Sequence, residues 1–176
     1  SVDCVTIPVT GNDPIADISN LPIPLPPTTA YALNLTVDLG ANLRVLSGTN
    51  LVVTDYLNLE GTIDIEDTGS LIQINNIDSN IGSGNITMER TVSAINPYDY
   101  IYWSSPIKSF GVGNVSPGST KIYDWVPTIP TNLNGYGNWS ATNTSTIMQP
   151  GKGYIIRNIV GTPTPNTPLF VGKPNN

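Results

Sequence analysis

The chain contains no histidine and a single cysteine, Cys4. Without histidine, Ser-His-Asp and Cys-His catalysis are excluded, and the commonest transition-metal ligand is missing. Cys4 has no base to activate it as a nucleophile, and one cysteine without histidine cannot close a zinc site. No internal disulfide is open to it, so a structural free thiol is the preferred reading, and any disulfide partner lies outside this stretch. Charge is also scarce: charged residues make up 11% of the chain, against about 25% in an average globular protein. No apolar run approaches the roughly 18 residues of a membrane-spanning helix, so membrane insertion is not expected. No basic and apolar leader opens the chain at Ser1, which is therefore expected to follow a cleavage or to begin a piece of something longer.

What is present is Asn, Thr, Ser, Gly and Pro in abundance, the composition of an extracellular β-protein. A hydrophobic content of 39% in regularly spaced Val, Ile and Leu argues against disorder. Residues 1 to 89 hold eleven of the thirteen acids and one base, Arg44, whereas residues 90 to 176 hold six bases and two acids. Two units with different surfaces are expected, able to attract one another head to tail. A nucleic-acid partner is not expected.

Residues 1 to 32 read as an extended lead-in, because proline-rich stretches such as LPIPLPP lack donors and have fixed φ angles. From Leu33 the pattern turns to alternation: Leu33, Leu35, Val37 and Leu39 are apolar, with polar residues between them. The same period recurs in Leu43 and Val45, Leu51 and Val53, Leu57 and Leu59, Ile63 and Ile65, then Ile72 and Ile74. Gly40, Gly48, Gly61 and Gly69 break these pieces, as turns require. LNLTVDLGANLRV at 33 and LNLEGTIDIEDTGSLIQI at 57 share their opening Leu-Asn-Leu. Such repeats of short strands predict a short β-solenoid over residues 33 to 89, with an up-and-down antiparallel sheet as the rival. Residues 90 to 176 carry STKIYDWV, GNWSA, PGKGYIIR and PLFVG between Gly and Pro turns, which predicts a small antiparallel β-sandwich. The expected fold class is all-β.

The acids of the expected solenoid offer two kinds of chemistry. Asp38, Asp64 and Glu66 fall on the outward phase of the alternation, and Asp67 follows them. A glycan-cleaving pair needs one carboxyl group with a raised pKa, and nothing in the pattern buries one. Asp64, Glu66 and Asp67 also offer the oxygens that calcium takes. They match neither EF-hand spacing nor the glycine-rich calcium nonapeptide, so exposed turn acids are preferred and no cofactor is expected. PGKGYIIR lacks phosphate-loop spacing. The five Asn-x-Ser/Thr sequons, at Asn34, Asn85, Asn114, Asn138 and Asn143, are about what this composition produces by chance.

One stretch, NPYDYIYWSSP at residues 96 to 106, concentrates aromatics in a chain that is 7% aromatic overall. Alternation places Tyr98, Tyr100 and Tyr102 on one strand face, with Ile101 and Trp103 on the other. Two readings stand: a structural signature opening the second unit, or a glycan platform in which Trp125 and Trp139 join the tyrosines. GNITMERTVSAINPYDYIYWSSPI, followed by MQPGKGYIIR and FVGKPNN, resembles a module of large secreted surface proteins of Bacteroidetes, especially flavobacteria. The opening CVTIP looks like theirs as well. The resemblance implies export by the type IX secretion system to the cell surface or beyond, within a long multi-modular chain ending in a sorting domain. It supplies no catalytic residues. The expected function is a non-catalytic structural or adhesive module, meeting copies of itself, neighbouring modules or surface glycans. A carbohydrate-binding module is the alternative, and a polysaccharide-active enzyme on the acidic rungs comes third.

Overall fold

The computed structural model describes residues 28–78, 80–93, 96, 98–130, 136–157 and 166–176, and the strand pairing of Cys4–Ile7 and Ile15–Ala16. The fold is all-β, with one short 3-10 turn, at Val112–Asn114, among the described residues. Most of the proline-rich lead-in, and the side chain of Cys4, lie outside the described residues. Two compact units divide the chain: Ser1–Arg90 with Phe170–Asn176, and Thr91–Leu169.

The first unit is built from strands β1 (Cys4–Ile7), β2 (Ile15–Ala16), β3 (Thr29–Ala32), β4 (Asn34–Val37), β5 (Asn42–Val45), β6 (Asn50–Val53), β7 (Leu57–Leu59), β8 (Thr62–Ile65), β9 (Ser70–Gln73) and β10 (Asn85–Glu89). The chain visits three sheets in rotation. β4, β5 and β6 are laid down in turn, and β7, β8 and β9 then pair parallel beside them. Like residues therefore meet like: Leu35 stands beside Leu57, Val37 beside Leu59, Leu43 beside Ile63 and Val45 beside Ile65. β10 continues the second of these sheets, adding Ile86 to Ile63 and Met88 to Ile65. Of these inward residues none is more than 6% exposed, and each full burial of an aliphatic side chain contributes about 1.5–3 kcal/mol.

Outside the core a second set of ladders runs in the same direction. Asn42 donates to Asp64 at 2.7 Å, Arg44 to Glu66 at 2.6 Å, and Asn75 to Asp55 at 3.1 Å. Ser83 donates to Glu60 through its backbone N–H at 3.0 Å and its hydroxyl at 2.7 Å, and these bonds hold the Glu60 carboxyl below its ordinary pKa. These side chains join positions 20 to 23 residues apart, one circuit of the chain. Thr68 shows the same stacking at a turn. Its φ of 66° is unusual for a β-branched residue, and it stands against Gly48, whose φ is 75°. Its hydroxyl accepts from the Gly48 N–H at 2.9 Å and shares a 2.7 Å bond with Ser47.

Several expectations about phase are corrected. Leu33 and Leu39 are exposed, because β4 is four residues long and the chain turns a corner on either side of it. Ile72 and Ile74 also face outward, since Leu71 is the residue in register with Leu51. The two Leu-Asn-Leu segments do not stack as written: Leu57 pairs with Leu35, not with Leu33. PLFVG forms β15 (Leu169–Gly172), which lies beside β10 in the first unit instead of in the second unit's sheet.

The second unit holds one four-stranded antiparallel sheet among its described residues, in the order β11 (Tyr100–Trp103), β14 (Tyr154–Arg157), β12 (Ile122–Pro130), β13 (Tyr136–Ala141). Trp103, Ile122, Tyr154 and Ile156 point to one side and are buried with Ile107, Phe110, Val112 and Met148. After β11, buried Ser105 secures the following turn by accepting from the Ile107 N–H at 3.1 Å and donating to the Ile107 carbonyl at 2.7 Å.

Candidate functional site

Strand alternation in the second unit sends the residues between those core positions to the opposite face of the sheet. On β11 these are Tyr100 and Tyr102, on β12 Tyr123 and Trp125, on β13 Trp139, and on β14 Arg157. The register brings them together: Tyr100 is opposite Arg157, and Trp125 is opposite Trp139. Tyr102 meets Trp139 edge to face at 5.9 Å between ring centroids, and Trp139 meets Trp125 at 5.3 Å. Tyr100 and Tyr123 lie 6.0 Å apart and tilted. Partial desolvation, with the hydrogen bond to Tyr123, holds the Tyr100 hydroxyl above its ordinary pKa.

Four aromatic rings here are open to solvent, while Tyr123 and Trp139 are half-buried. Tyr98 is 61% exposed, Tyr100 42%, Tyr102 72% and Trp125 42%, whereas Trp103 one residue further on is 8% exposed. All five aromatics singled out in the sequence, Tyr98, Tyr100, Tyr102, Trp125 and Trp139, thus gather at one side of the sheet. Tyr98 does not reach it by strand alternation. It precedes β11 in a turn with a φ of 78°, where the Asn96 N–H donates to the Asp99 carboxylate at 2.8 Å. Its ring arrives beside the Arg157 guanidinium, 5.3 Å from the ring centroid.

Two further residues complete the arrangement. Arg157 makes no salt bridge among the described residues, and its Nε is buried without a hydrogen-bond partner. Gly137 has a φ of 98°, and a Cβ added there would overlap the Trp125 indole, so the bare backbone is what seats that ring. The alternation of IYDWV carried the signal for Tyr123, whereas nothing in PGKGYIIR marked Arg157 as facing the rings. On the buried side the same sheet is braced by Lys152, which pairs with Asp124 and whose pKa that bond raises.

The acids of the first unit occupy a different setting. Asp64, Glu66 and Asp67 line an open groove of about 510 Å³ with Arg44, Ser47, Thr87 and Glu89; Asp38 is not among its lining residues. Asp64 accepts from Asn42, while Glu66 accepts from Arg44 and from the Ser47 N–H at 3.1 Å. Both carboxylates therefore serve the cross-circuit ladders. Among the described residues no three Cys, Asp or Glu side chains stand close enough to share a metal ion, and no helix is long and apolar enough to cross a membrane.

A family model described as a domain of unknown function, DUF8693, matches residues 1–176, and the chain belongs to that family. No curated protein and no solved structure matches it.

Proposed function

We propose that this DUF8693 chain is a non-catalytic structural and adhesive module of a secreted bacterial cell-surface protein. In this reading the first unit is a short β-solenoid, a stalk that extends by adding circuits, and the second is a small sandwich-like unit presented on the same chain. The observation that carries it is the stacking of like on like: aliphatic residues inside and Asn, Arg, Asp and Glu ladders outside repeat once per circuit. Such quasi-one-dimensional construction serves length and presentation, because each circuit needs only its neighbours. The resemblance of NPYDYIYWSSP and MQPGKGYIIR to modules of type IX-secreted surface proteins supports the same compartment.

Edge strands at the end of the stack offer unpaired backbone groups to another copy or module. The acidic first half and basic second half of the sequence favour head-to-tail contact, which salt weakens. Light scattering at low and high salt, beside negative-stain microscopy, tests this: salt-sensitive oligomers or filaments are expected, and a monomer indifferent to salt contradicts the assembly. The alternative reading, a carbohydrate-binding module, gains from one observation, the solvent-open row of aromatic rings on the second unit.

A further inference from the structure

The exposed sheet face of the second unit has three properties that together specify a ligand. Its residues are tyrosines and tryptophans, amphipathic rings whose faces accept C–H groups while their edges hydrogen-bond. A partner with flat C–H faces and many hydroxyls fits that surface, and pyranose sugars have both. The rings are also held in place: Trp125 rests on the bare backbone of Gly137, and the Tyr102, Trp139 and Trp125 rings brace one another edge to face. Ligand binding then orders few side chains, which lowers its entropic cost.

The third property is charge. Arg157 is a cation of this face, beside the Tyr98 ring and opposite Tyr100 in register, and without a carboxylate partner among the described residues. Across residues 91 to 169 the sequence has four bases and two acids, and one of those acids, Asp124, is engaged by Lys152. An Arg with no carboxylate partner among the described residues, beside rings open to solvent, is complementary to a sugar chain bearing carboxylates. Single-stranded nucleic acid also stacks on aromatics, but it needs a basic groove along its backbone, and one arginine does not make one.

We propose that this face binds an acidic polysaccharide, with sugar rings packed on Tyr102, Trp139 and Trp125 and a uronate carboxylate paired with Arg157. The inference deepens the adhesive reading above and rests on it. It is tested by titrating the full chain with an oligogalacturonate and with a neutral oligoglucan of equal length, following calorimetry and tryptophan fluorescence. Saturable binding of the uronate is expected, with the neutral chain markedly weaker. Tyr102→Ala and Trp139→Ala each weaken binding about tenfold, and Arg157→Gln weakens it about fivefold while removing most of its salt dependence. Tyr31→Ala, an exposed tyrosine of the first unit, leaves it unchanged.

Circular dichroism confirms that each variant is folded. The inference is overturned by a folded chain that ignores the uronate, by equal binding of the neutral chain, by binding that survives Trp139→Ala, or by displacement with oligothymidylate. It is equally overturned if the face proves to be a dimer contact, seen as a dimer that Tyr102→Ala dissociates. Any of these leaves the surface-module reading standing, since that reading fails on a separate observation, absence of the protein from the cell surface.

Discussion

Replacing Gly61 with alanine should unfold the first unit far more readily than its chemistry suggests. A Cβ at this position would overlap the carbonyl oxygens of Ala41 and Asp38, one circuit earlier, and stand 3.1 Å from Val37 Cγ1. Neither carbonyl is free to swing away. Ala41 O accepts from the Thr62 N–H at 3.0 Å, and Asp38 O accepts from the Ala41 N–H at 2.9 Å. Relief requires the two circuits to separate, at about 1–3 kcal/mol of overpacking strain and roughly 1 kcal/mol for each backbone bond weakened. With both of those bonds weakened the expected loss is about 3–5 kcal/mol, a fall in Tm of roughly 10 °C or more for a unit of this size. Gly48→Ala is the matched control, because nothing lies within 4 Å of its added Cβ and only its φ of 75° opposes the change, at about 1 kcal/mol. Thermal and urea unfolding followed by far-UV circular dichroism read both variants. A Gly61→Ala loss no larger than that of Gly48→Ala would refute close stacking at this corner.

Three further outcomes are expected. Ile63→Ala, at a position with 0% exposure between Leu43 and Ile86, should cost about 2–5 kcal/mol, while Ile72→Ala on the outer surface should cost under about 0.5 kcal/mol; comparable urea midpoints for the two would contradict the assigned phase. Gly137→Ala should displace the Trp125 indole and alter tryptophan emission and near-UV dichroism with the far-UV signal retained; unchanged spectra would contradict the seating of that ring. The Lys152 ammonium is held above its ordinary pKa of 10.5 chiefly by its bond to Asp124. Its folded form keeps the proton longer than the unfolded form, so the stabilisation is complete below pH 10.5 and lost as pH rises through the folded value. Asp124→Asn should flatten that alkaline loss in a Tm-against-pH series, and an unaltered slope would count against the pair.

The inward positions of the first unit were legible because burial on one face imposes a period of two. Leu35, Val37, Leu43, Val45, Ile63 and Ile65 are all buried as their alternation predicts. Strand ends were not legible. Leu33 and Leu39 share that alternation, yet the chain turns at corners every four residues or so, and alternation carries no mark of where a corner falls. Ile72 and Ile74 misled because the following polar residues fit either phase, and the choice is made by Leu71 pairing with Leu51. The repeat was visible, but its register was not: Leu-Asn-Leu appears twice, whereas stacking obeys contact between circuits and sets Leu57 on Leu35. At the candidate site, composition pointed to the aromatics. Their convergence depends on long-range pairing of β11, β14, β12 and β13, and so did the presence of Arg157 among them. Gly137 was invisible for the same reason, since its role exists only once Trp125 lies across it.

We propose that this chain is presented at the cell surface. Labelling intact cells that make the protein, with antibody raised against the purified chain, tests it most directly. Bright labelling of unpermeabilised cells, lost after brief protease shaving, is expected, and labelling that appears only after the envelope is breached would overturn the proposal.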